Sequence, residues 1–95
     1  MSIMKHITGK NKGKVMLYAL STCIWCRKTK DLLNSLGVEY DYIDVDLLEE
    51  GEEKEQVRKE ISKWNPSLSF PIMVINNKQC INGYNDTKIR EVLGK

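Results

Sequence analysis

The sequence has no long apolar run, few cysteines and almost no net charge, and these shortages exclude several classes of protein. Its apolar stretches are shorter than the roughly 20 residues that a membrane-spanning helix needs, and none follows the first basic residues as a secretory signal would require. There are 15 Lys and Arg residues and 13 Asp and Glu residues. The formal net charge of +2 gives no global electrostatic reason to expect a nucleic-acid or membrane partner. We therefore expect a cytoplasmic protein.

Cysteine is scarce, with three residues in the chain. An odd number argues against a framework of structural disulfides, because secreted scaffolds use even sets. In a reducing compartment, a close pair of cysteines is more often catalytic or metal-binding than structural. Cys23 and Cys26 form such a pair, and Cys80 stands apart from them in the sequence.

The length of 95 residues, of which 41% are hydrophobic, is enough for one compact domain and too short for two. Four lysines, at positions 5, 10, 12 and 14, come before any acidic residue. We interpret residues 1–14 as a flexible basic tail rather than a binding arm, since charged chain ends are usually solvated. Residues 15–95 then form the folded domain.

The apolar pattern predicts strands and helices in alternation. Short runs of apolar and β-branched residues indicate strands at 15–20, 39–45, 71–75 and 79–81. Helical spacing of apolar residues indicates one helix between the first two strands, a second over about 49–64 and a third over 86–93.

Residues of the right type mark the ends of these helices. Ser21 and Thr22 suit the N-cap of the first helix, Gly37 suits its C-terminal cap, and Pro66 ends the second helix. The resulting order is βαβαββα, with parallel strands in the first βαβ unit. This order predicts an α/β protein with the thioredoxin fold, a mixed four-stranded sheet flanked by three helices.

The cysteine pair carries the strongest chemical signal. Two cysteines three residues apart at a helix start lie on one face, within the about 4.4–6.8 Å that separates the Cα atoms of a disulfide. Cys23 lies at or just before the first turn, where free N–H groups and the helix dipole stabilise an anion. Cys26 lies inside the helix and is less exposed. This arrangement predicts an exposed nucleophile and a sheltered resolving thiol.

Structural zinc is the alternative for the pair. A tetrahedral site needs two further ligands, and only Cys80 and His6 remain, the latter in the polar tail. A Cys-x-x-Cys that follows a strand and opens a helix favours redox chemistry instead. For Cys80, we expect a small buried hydrophobe, with a regulatory or intermolecular thiol as the alternative.

Three motifs make residues 15 to 93 resemble the glutaredoxin family. The segment 21–26, Ser-Thr-Cys-Ile-Trp-Cys, resembles the family's Cys-Pro-Tyr-Cys site, with an aromatic residue at the same third position. Ser69-Phe70-Pro71 is similar to the Thr-Val-Pro segment, in which the proline is cis and faces the active cysteines. The segment 82–86, Asn-Gly-Tyr-Asn-Asp, resembles the Gly-Gly-x-x-Asp turn that begins the last helix and helps to bind glutathione.

The resemblance implies a set of residues that bind substrate or glutathione around the catalytic Cys23 and Cys26. They are Thr22, Trp25, Phe70, Pro71, Gly83, Tyr84 and Asp86. A cis Pro71 would turn the Phe70 backbone outward to hydrogen-bond the substrate. Trp25 would present an aromatic face near the sulfurs, with partial packing as the alternative. Asp86 would contact the γ-glutamyl end of glutathione, with a plain helix cap as the alternative.

The sequence also departs from the family pattern. Leu20 stands where glutathione-using members typically have a lysine, and Ser67 and Leu68 stand where basic residues are often found. A charge-assisted hydrogen bond contributes about 1.5–3 kcal/mol, so its loss weakens affinity by an order of magnitude or more. The resemblance therefore implies a glutaredoxin-like hydrogen donor that takes electrons from a dithiol reductase.

We accordingly expect a monomeric dithiol oxidoreductase that reduces protein disulfides, with a dithiol reductase or glutathione as the electron source. We expect no resident metal and no tightly bound cofactor, and glutathione serves as a possible co-substrate. The alternative function is an iron–sulfur cluster carrier, in which the first cysteine and glutathione would bridge two subunits. The dithiol site and the altered glutathione pocket argue against that alternative.

Overall fold

The computed structural model describes residues 4–64 and 70–94, and there the elements follow the predicted order with one addition, the first strand. The strands are β1 (Lys5–Ile7), β2 (Val15–Ala19), β3 (Tyr40–Asp44), β4 (Ile72–Ile75) and β5 (Gln79–Asn82). The helices are α1 (Ile24–Leu36), α2 (Glu52–Trp64) and α3 (Asp86–Leu93), with a 3-10 turn at Val45–Leu47. None of these helices is long and apolar enough to cross a membrane.

The strands form one mixed sheet in the order β1-β3-β2-β4-β5. β2 and β3 run parallel and are joined by α1, which confirms the predicted βαβ unit. β4 runs antiparallel to β2, β5 to β4, and β1 to β3. The central position of β2 explains why its sequence is apolar on both faces. The thioredoxin fold is confirmed.

Each face of the sheet has its own core, because side chains alternate along a strand. On one face, α1 and α3 pack against the sheet through the buried apolar residues Cys26, Leu32, Leu33, Ile89 and Leu93. On the other face, α2 packs through Val57 and Ile61. The buried cysteine is therefore part of the core beneath α1.

The sequence predicts one end of α1 correctly and the other incorrectly. Gly37 ends the helix as predicted, with a φ of 68°, in the left-handed region that glycine adopts without a steric cost. The predicted N-cap at Ser21 or Thr22 is wrong, because Cys23 occupies that position. A thiol sulfur thus replaces the usual hydroxyl oxygen at the cap. Pro66, the predicted end of the second helix, lies outside the described residues.

The prediction of a flexible tail over 1–14 is wrong for Lys5–Ile7, and the sheet has five strands rather than four. Lys5–Ile7 pairs antiparallel with residues 40–42. Farther along, the N–H of Lys10 donates to the carbonyl of Gly37 at 2.7 Å. The first strand is short and its side chains are mostly exposed, so its sequence lacks the apolar run that would predict a strand. Its partner is the free edge of β3, which exists only after the sheet has formed.

Candidate active site

The cysteine pair lies where β2 ends, in the turn that leads into α1. β2 ends at Ala19, and the N–H of Cys23 donates to the carbonyl of Leu20 at 3.2 Å, which closes the turn. Thr22, one of the predicted substrate contacts, is exposed in this turn. Serine and threonine suit such turns because their hydroxyls bond to nearby backbone.

A carboxylate from the 3-10 turn that follows β3 holds this turn. Ser21 donates its N–H and its hydroxyl to the two carboxylate oxygens of Asp46, at 2.8 and 2.5 Å. The hydroxyl bond, followed by the N–H bond, lowers the pKa of Asp46. The sequence analysis missed this residue. A signal for it exists, because β2 and β3 are parallel neighbours and the carboxyl ends of such strands meet at one edge of the sheet.

The two thiols of the pair have different surroundings. Cys23 is half-buried, and its Sγ accepts the N–H of Cys26 at 3.3 Å. A sulfur that caps a helix N-terminus is well placed to carry a negative charge. Cys26 is completely buried, and burial, followed by its hydrogen bond with Cys23, raises the pKa of Cys26. The site therefore offers one accessible sulfur and one sheltered sulfur, a single helical turn apart.

An apolar surface surrounds the accessible sulfur. Ile24 and Trp25, which follow Cys23 directly, are 64% and 51% exposed. The Trp25 ring stacks on the Tyr84 ring with centroids 5.9 Å apart, and the Nζ of Lys28 lies 4.7 Å from the Trp25 centroid. Trp25 is thus about half exposed, and it also packs against Tyr84. The exposed aromatic surface and the partial packing considered for this residue therefore occur together.

A second loop carries the cis proline. The Phe70–Pro71 peptide bond is cis, which confirms the prediction made from the resemblance. The carbonyl of Pro71 accepts the N–H of Gly83 at 2.7 Å. Gly83 has a φ of 77°, in the left-handed region that favours glycine. This hydrogen bond ties the proline loop to the turn that begins α3.

The three motifs pack against the same core. Cys23, Phe70 and Tyr84 all pack against the core cluster that contains Cys26. Trp25 and Tyr84, which lie 59 positions apart in the sequence, are in direct ring contact. Three residues of the proline loop named in the sequence analysis lie outside the described residues, namely Ser67, Leu68 and Ser69.

Asp86 is engaged by its own neighbours. Its Oδ1 accepts the Nε–H of Arg90 at 2.7 Å, and its Oδ2 accepts the hydroxyl of Tyr84 at 3.2 Å. The alternative interpretation of Asp86 as a helix cap is wrong, because Asn85 caps α3 by accepting the N–H of Lys88 at 3.0 Å. An incoming ammonium group would have to compete with Arg90 for this carboxylate.

A cavity of about 220 Å³ lies beside Leu20 and Phe70. Lys54 and Arg58 of α2 line it together with these two residues and Asp46, so two cations and one carboxylate lie in the region where the sequence has Leu20 in place of lysine. Both cations have an acidic neighbour. The Nζ of Lys54 lies 2.8 Å from Oε1 of Glu50, just before α2, and Nη1 of Arg58 lies 3.9 Å from Oε1 of Glu55. Nothing local to the sequence of α2 distinguishes these two residues from the other cations of that helix.

The third cysteine lies away from the pair. Cys80 packs against the core on the α2 face, where it is half-buried, and its Sγ lies 3.2 Å from Oδ1 of Asn82. Burial raises the pKa of Cys80. His6, the other candidate zinc ligand, bonds to Asp41 in the β1–β3 pair. Among residues 4–64 and 70–94, no three His, Cys, Asp or Glu side chains are grouped so that they could hold a metal ion.

With this geometry established, comparison with known proteins decides the family. A glutaredoxin family model matches residues 15–81, which is most of the chain. The chain belongs to the glutaredoxin family. One relative is an uncharacterized glutaredoxin-like 8.6 kDa protein in the rubredoxin operon of Clostridium pasteurianum. It is 31% identical over 81 residues, which cover 85% of this chain and 99% of that protein.

Solved glutaredoxin structures share the fold. The glutaredoxin from Methanosarcina mazei is 49% identical with a TM-score of 0.89, and the match covers 97% of this chain and 88% of that one. Methanosarcina acetivorans methanoredoxin is 49% identical with a TM-score of 0.86, covering 92% and 90%. The glutaredoxin from Archaeoglobus fulgidus is 34% identical with a TM-score of 0.77, covering 87% and 88%. Membership of the glutaredoxin family suggests thiol–disulfide oxidoreductase activity for the Cys23–Cys26 site.

Proposed function

We propose that this protein reduces protein disulfides by a dithiol mechanism. One observation carries the proposal: an accessible sulfur caps a helix directly above a completely buried one. Cys23 accepts a backbone N–H at its Sγ, which supports a thiolate, and Cys26 is completely buried one helical turn away. This division suits disulfide exchange, in which one thiol attacks and the other resolves.

The reaction proceeds in two exchange steps. The thiolate of Cys23 attacks one sulfur of the substrate disulfide, the substrate S–S bond breaks, and the first substrate sulfur leaves as a thiolate that takes a proton from water. The thiolate of Cys26 then attacks Cys23, a Cys23–Cys26 disulfide forms, and the second substrate sulfur leaves and is protonated. Two electrons pass from the protein to the substrate.

The surroundings of Cys23 favour a protein substrate with an apolar segment next to its disulfide. Ile24 and Trp25 are both more than half exposed beside the attacking sulfur, an uncommon arrangement for large apolar side chains. Burial of such side chains stabilises an encounter by about 25 cal/mol per Å² of apolar surface covered. On this basis the Trp25 face holds the substrate chain while its disulfide reaches Cys23.

The charges around the site favour a dithiol reductase as the electron source. Leu20 supplies no cation for a glutathione carboxylate, and Asp86 is neutralised by Arg90 at 2.7 Å. Lys54 and Arg58 work in the opposite direction, because they add positive charge to the cavity beside Leu20, where the Asp46 carboxylate offsets part of it. Each of these two cations already has a carboxylate neighbour, so we propose that glutathione is a slow co-substrate. We also propose that the protein acts as a monomer in the cytoplasm.

Cysteine variants test the mechanism with insulin as a model disulfide substrate. We expect the reduced protein to lose two thiols per insulin disulfide cleaved and Cys23→Ser to show no reaction. Cys26→Ser should accumulate a covalent adduct with an insulin chain, which mass spectrometry detects. Cys80→Ser is the matched control and should react like the unaltered protein. A Cys23→Ser variant that reduces insulin at the unaltered rate would rule out the mechanism.

The reductant is tested by recycling the oxidised protein. Excess glutathione is compared with NADPH and a thioredoxin-type reductase, and tryptophan fluorescence follows the disulfide next to Trp25. Fast reduction by the reductase and slow reduction by glutathione would support the proposal. Fast and complete reduction by glutathione would instead show that Lys54 and Arg58 replace the lysine missing at position 20.

A further inference from the structure

We propose that the ion pair between Lys30 and Asp44 controls the second exchange step, with Lys30 stabilising the buried thiolate of Cys26 and Asp44 limiting that effect. This inference rests on the dithiol mechanism proposed above. It assigns a role to two residues that neither the family motifs nor the resemblance singles out.

Helical spacing places Lys30 on the same face of α1 as the buried thiol. Cys26 and Lys30 are four residues apart on α1, so their Cβ atoms are neighbours on the same helix face, about 5–6 Å apart. Lys30 is not a surface lysine, because its side chain is only 21% exposed. Its Nζ lies 2.9 Å from Oδ1 of Asp44 and 4.2 Å from the centroid of the Tyr42 ring.

Asp44 is covered as well, with a side chain that is 16% exposed. It is the last residue of β3 and pairs in register with Ala19, the last residue of β2. The carboxylate therefore lies at the sheet edge from which the cysteine turn departs. An ion pair in this position is partly shielded from water, so its charges act on a neighbouring thiol more strongly than exposed charges do.

The resolving thiol needs such a charge because its surroundings oppose ionisation. Burial is the largest influence on Cys26 and raises its pKa, and the hydrogen bond with Cys23 adds to this. A backbone hydrogen bond from Leu20 and the positive charge of Lys30 lower the pKa of Cys26. In the described part of the chain, Lys30 is thus the charged side chain that favours the thiolate.

The other elements around Cys26 add little charge of their own. At the N-cap of α1 the second titratable neighbour is Cys23, behind Lys30 lie Asp44 and Tyr42 of β3, and β3 also contributes the buried Tyr40 to this core. The buried residues that β2, β4, β5 and α3 contribute to this core are apolar. The net effect on the thiol therefore depends on how far Asp44 neutralises Lys30.

Lys30 acts as a positioning residue and does not exchange a proton in this step. Cys26 gives its proton to water, and the thiolate electron pair then forms a bond to the Cys23 sulfur. The bond between Cys23 and the substrate sulfur breaks, and that sulfur leaves as a thiolate. Lys30 keeps its charge throughout and lowers the free energy of the intermediate anion.

The two exchange steps can be followed separately with the chromogenic disulfide 5,5′-dithiobis(2-nitrobenzoate). In a Cys80→Ser background, the first release of nitrothiobenzoate reports attack by Cys23 and depends on reagent concentration. The second release reports resolution by Cys26 and is independent of reagent concentration. Stopped-flow absorbance resolves both phases in the same trace. A missing second phase in the unaltered site would refute the dithiol mechanism itself.

We expect Lys30→Met to slow the second phase about three- to tenfold and to leave the first phase unchanged. A nearby opposite charge favours the thiolate, and the gain in nucleophilicity of a more basic thiolate offsets about half of the effect of losing that charge, so we expect a modest change in rate. Lys30→Arg keeps the charge and should keep the rate. Lys63→Met, which removes an exposed lysine paired with Glu60, is the matched control.

Asp44→Asn separates an electrostatic role from a structural one. It leaves Lys30 without its neutralising carboxylate, so we expect a faster second phase and a shift of its pH profile to lower pH. A purely structural role of the pair predicts that Asp44→Asn slows the second phase as Lys30→Met does. That result, or a second phase that Lys30→Met leaves unchanged, would overturn the proposal.

Discussion

The active site has two sides that are built in different ways. The cysteine side consists of residues 20–26 and the carboxylate of Asp46, and the proline side consists of residues 70–71 and 83–86. Short backbone and carboxylate hydrogen bonds hold the cysteine side, including both bonds from Ser21 to Asp46. Among the described residues, the Gly83 N–H to Pro71 carbonyl bond ties the proline side together, and its polar side chains bond to one another or to neighbouring residues of α3.

This difference sets what a substitution on each side can change. The cysteine side fixes the relation between a half-buried and a completely buried sulfur, and it contains no charged side chain among residues 20–26. On the proline side, the Asp86 carboxylate is already paired with Arg90 within α3. We therefore expect a new charge on the cysteine side to have a larger effect than the release of the existing carboxylate on the proline side.

The largest expected effect comes from adding a charge to the cysteine side. Leu20→Lys should speed reduction of the oxidised protein by glutathione about tenfold, because a charge-assisted hydrogen bond contributes about 1.5–3 kcal/mol. Stopped-flow tryptophan fluorescence with glutathione measures this rate. Leu20→Met is the neutral control and should leave it unchanged. An equal rate for Leu20→Lys would show that Lys54 and Arg58 already supply the charge that glutathione needs.

The next effect concerns stability of the cysteine turn. Asp46→Asn should lower the free energy of unfolding by about 1 kcal/mol at pH 7, since an exposed charged hydrogen bond contributes at the low end of its usual range. The pKa of Asp46 is lowered in the folded protein, so this contribution is present above its unfolded pKa and is lost as the pH falls through the folded value. Urea unfolding at pH 7 and pH 3 should therefore show a difference between variant and parent that shrinks in acid.

A smaller effect is expected on the proline side. Arg90→Met frees Oδ1 of Asp86 and should increase the rate with glutathione about two- to fivefold, because exposed ion pairs contribute only about 0–1 kcal/mol. The rate with a thioredoxin-type reductase serves as the internal control and should stay constant. Equal gains with both reductants would mean that Arg90 acts on the thiols rather than on recognition.

The smallest expected effect concerns the Trp25 ring. Lys28→Met removes the cation over Trp25, an exposed contact of about 0.5–1 kcal/mol. We expect a shift of tryptophan emission and a slightly lower melting temperature, with the insulin reduction rate nearly unchanged. A large loss of insulin reduction would place Lys28 in substrate binding and would weaken the distinction between the two sides.

Much of this site follows from local sequence. Cys23 and Cys26 at a helix start specify one accessible and one buried sulfur, because helical geometry alone sets their spacing. Gly37 marks the helix end for an equally local reason, since it adopts a left-handed backbone. The position of the cap at Cys23 could not be read in the same way, because serine and threonine beside it are better caps by residue type.

Other features needed contacts between distant residues. Ser21 and Asp46 are 25 positions apart, and they meet because the ends of two parallel strands lie side by side. Lys54 and Arg58 look like ordinary surface cations on a charged helix, and their helix happens to cross the sheet beside Leu20. Residue type and periodicity do not indicate which distant residues become neighbours in the fold.

By itself, the sequence determined the alternation of strands and helices and the redox motif at the start of α1, since both rest on short-range periodicity and spacing, and its three motifs indicated the resemblance to the glutaredoxin family. Only the tertiary structure decided that Lys5–Ile7 joins the sheet, that Arg90 pairs with Asp86 and that Lys30 pairs with Asp44. The physical reason is the same each time. Pairing at a sheet edge and the partner of a charge depend on which groups the fold brings together, and local sequence does not specify them.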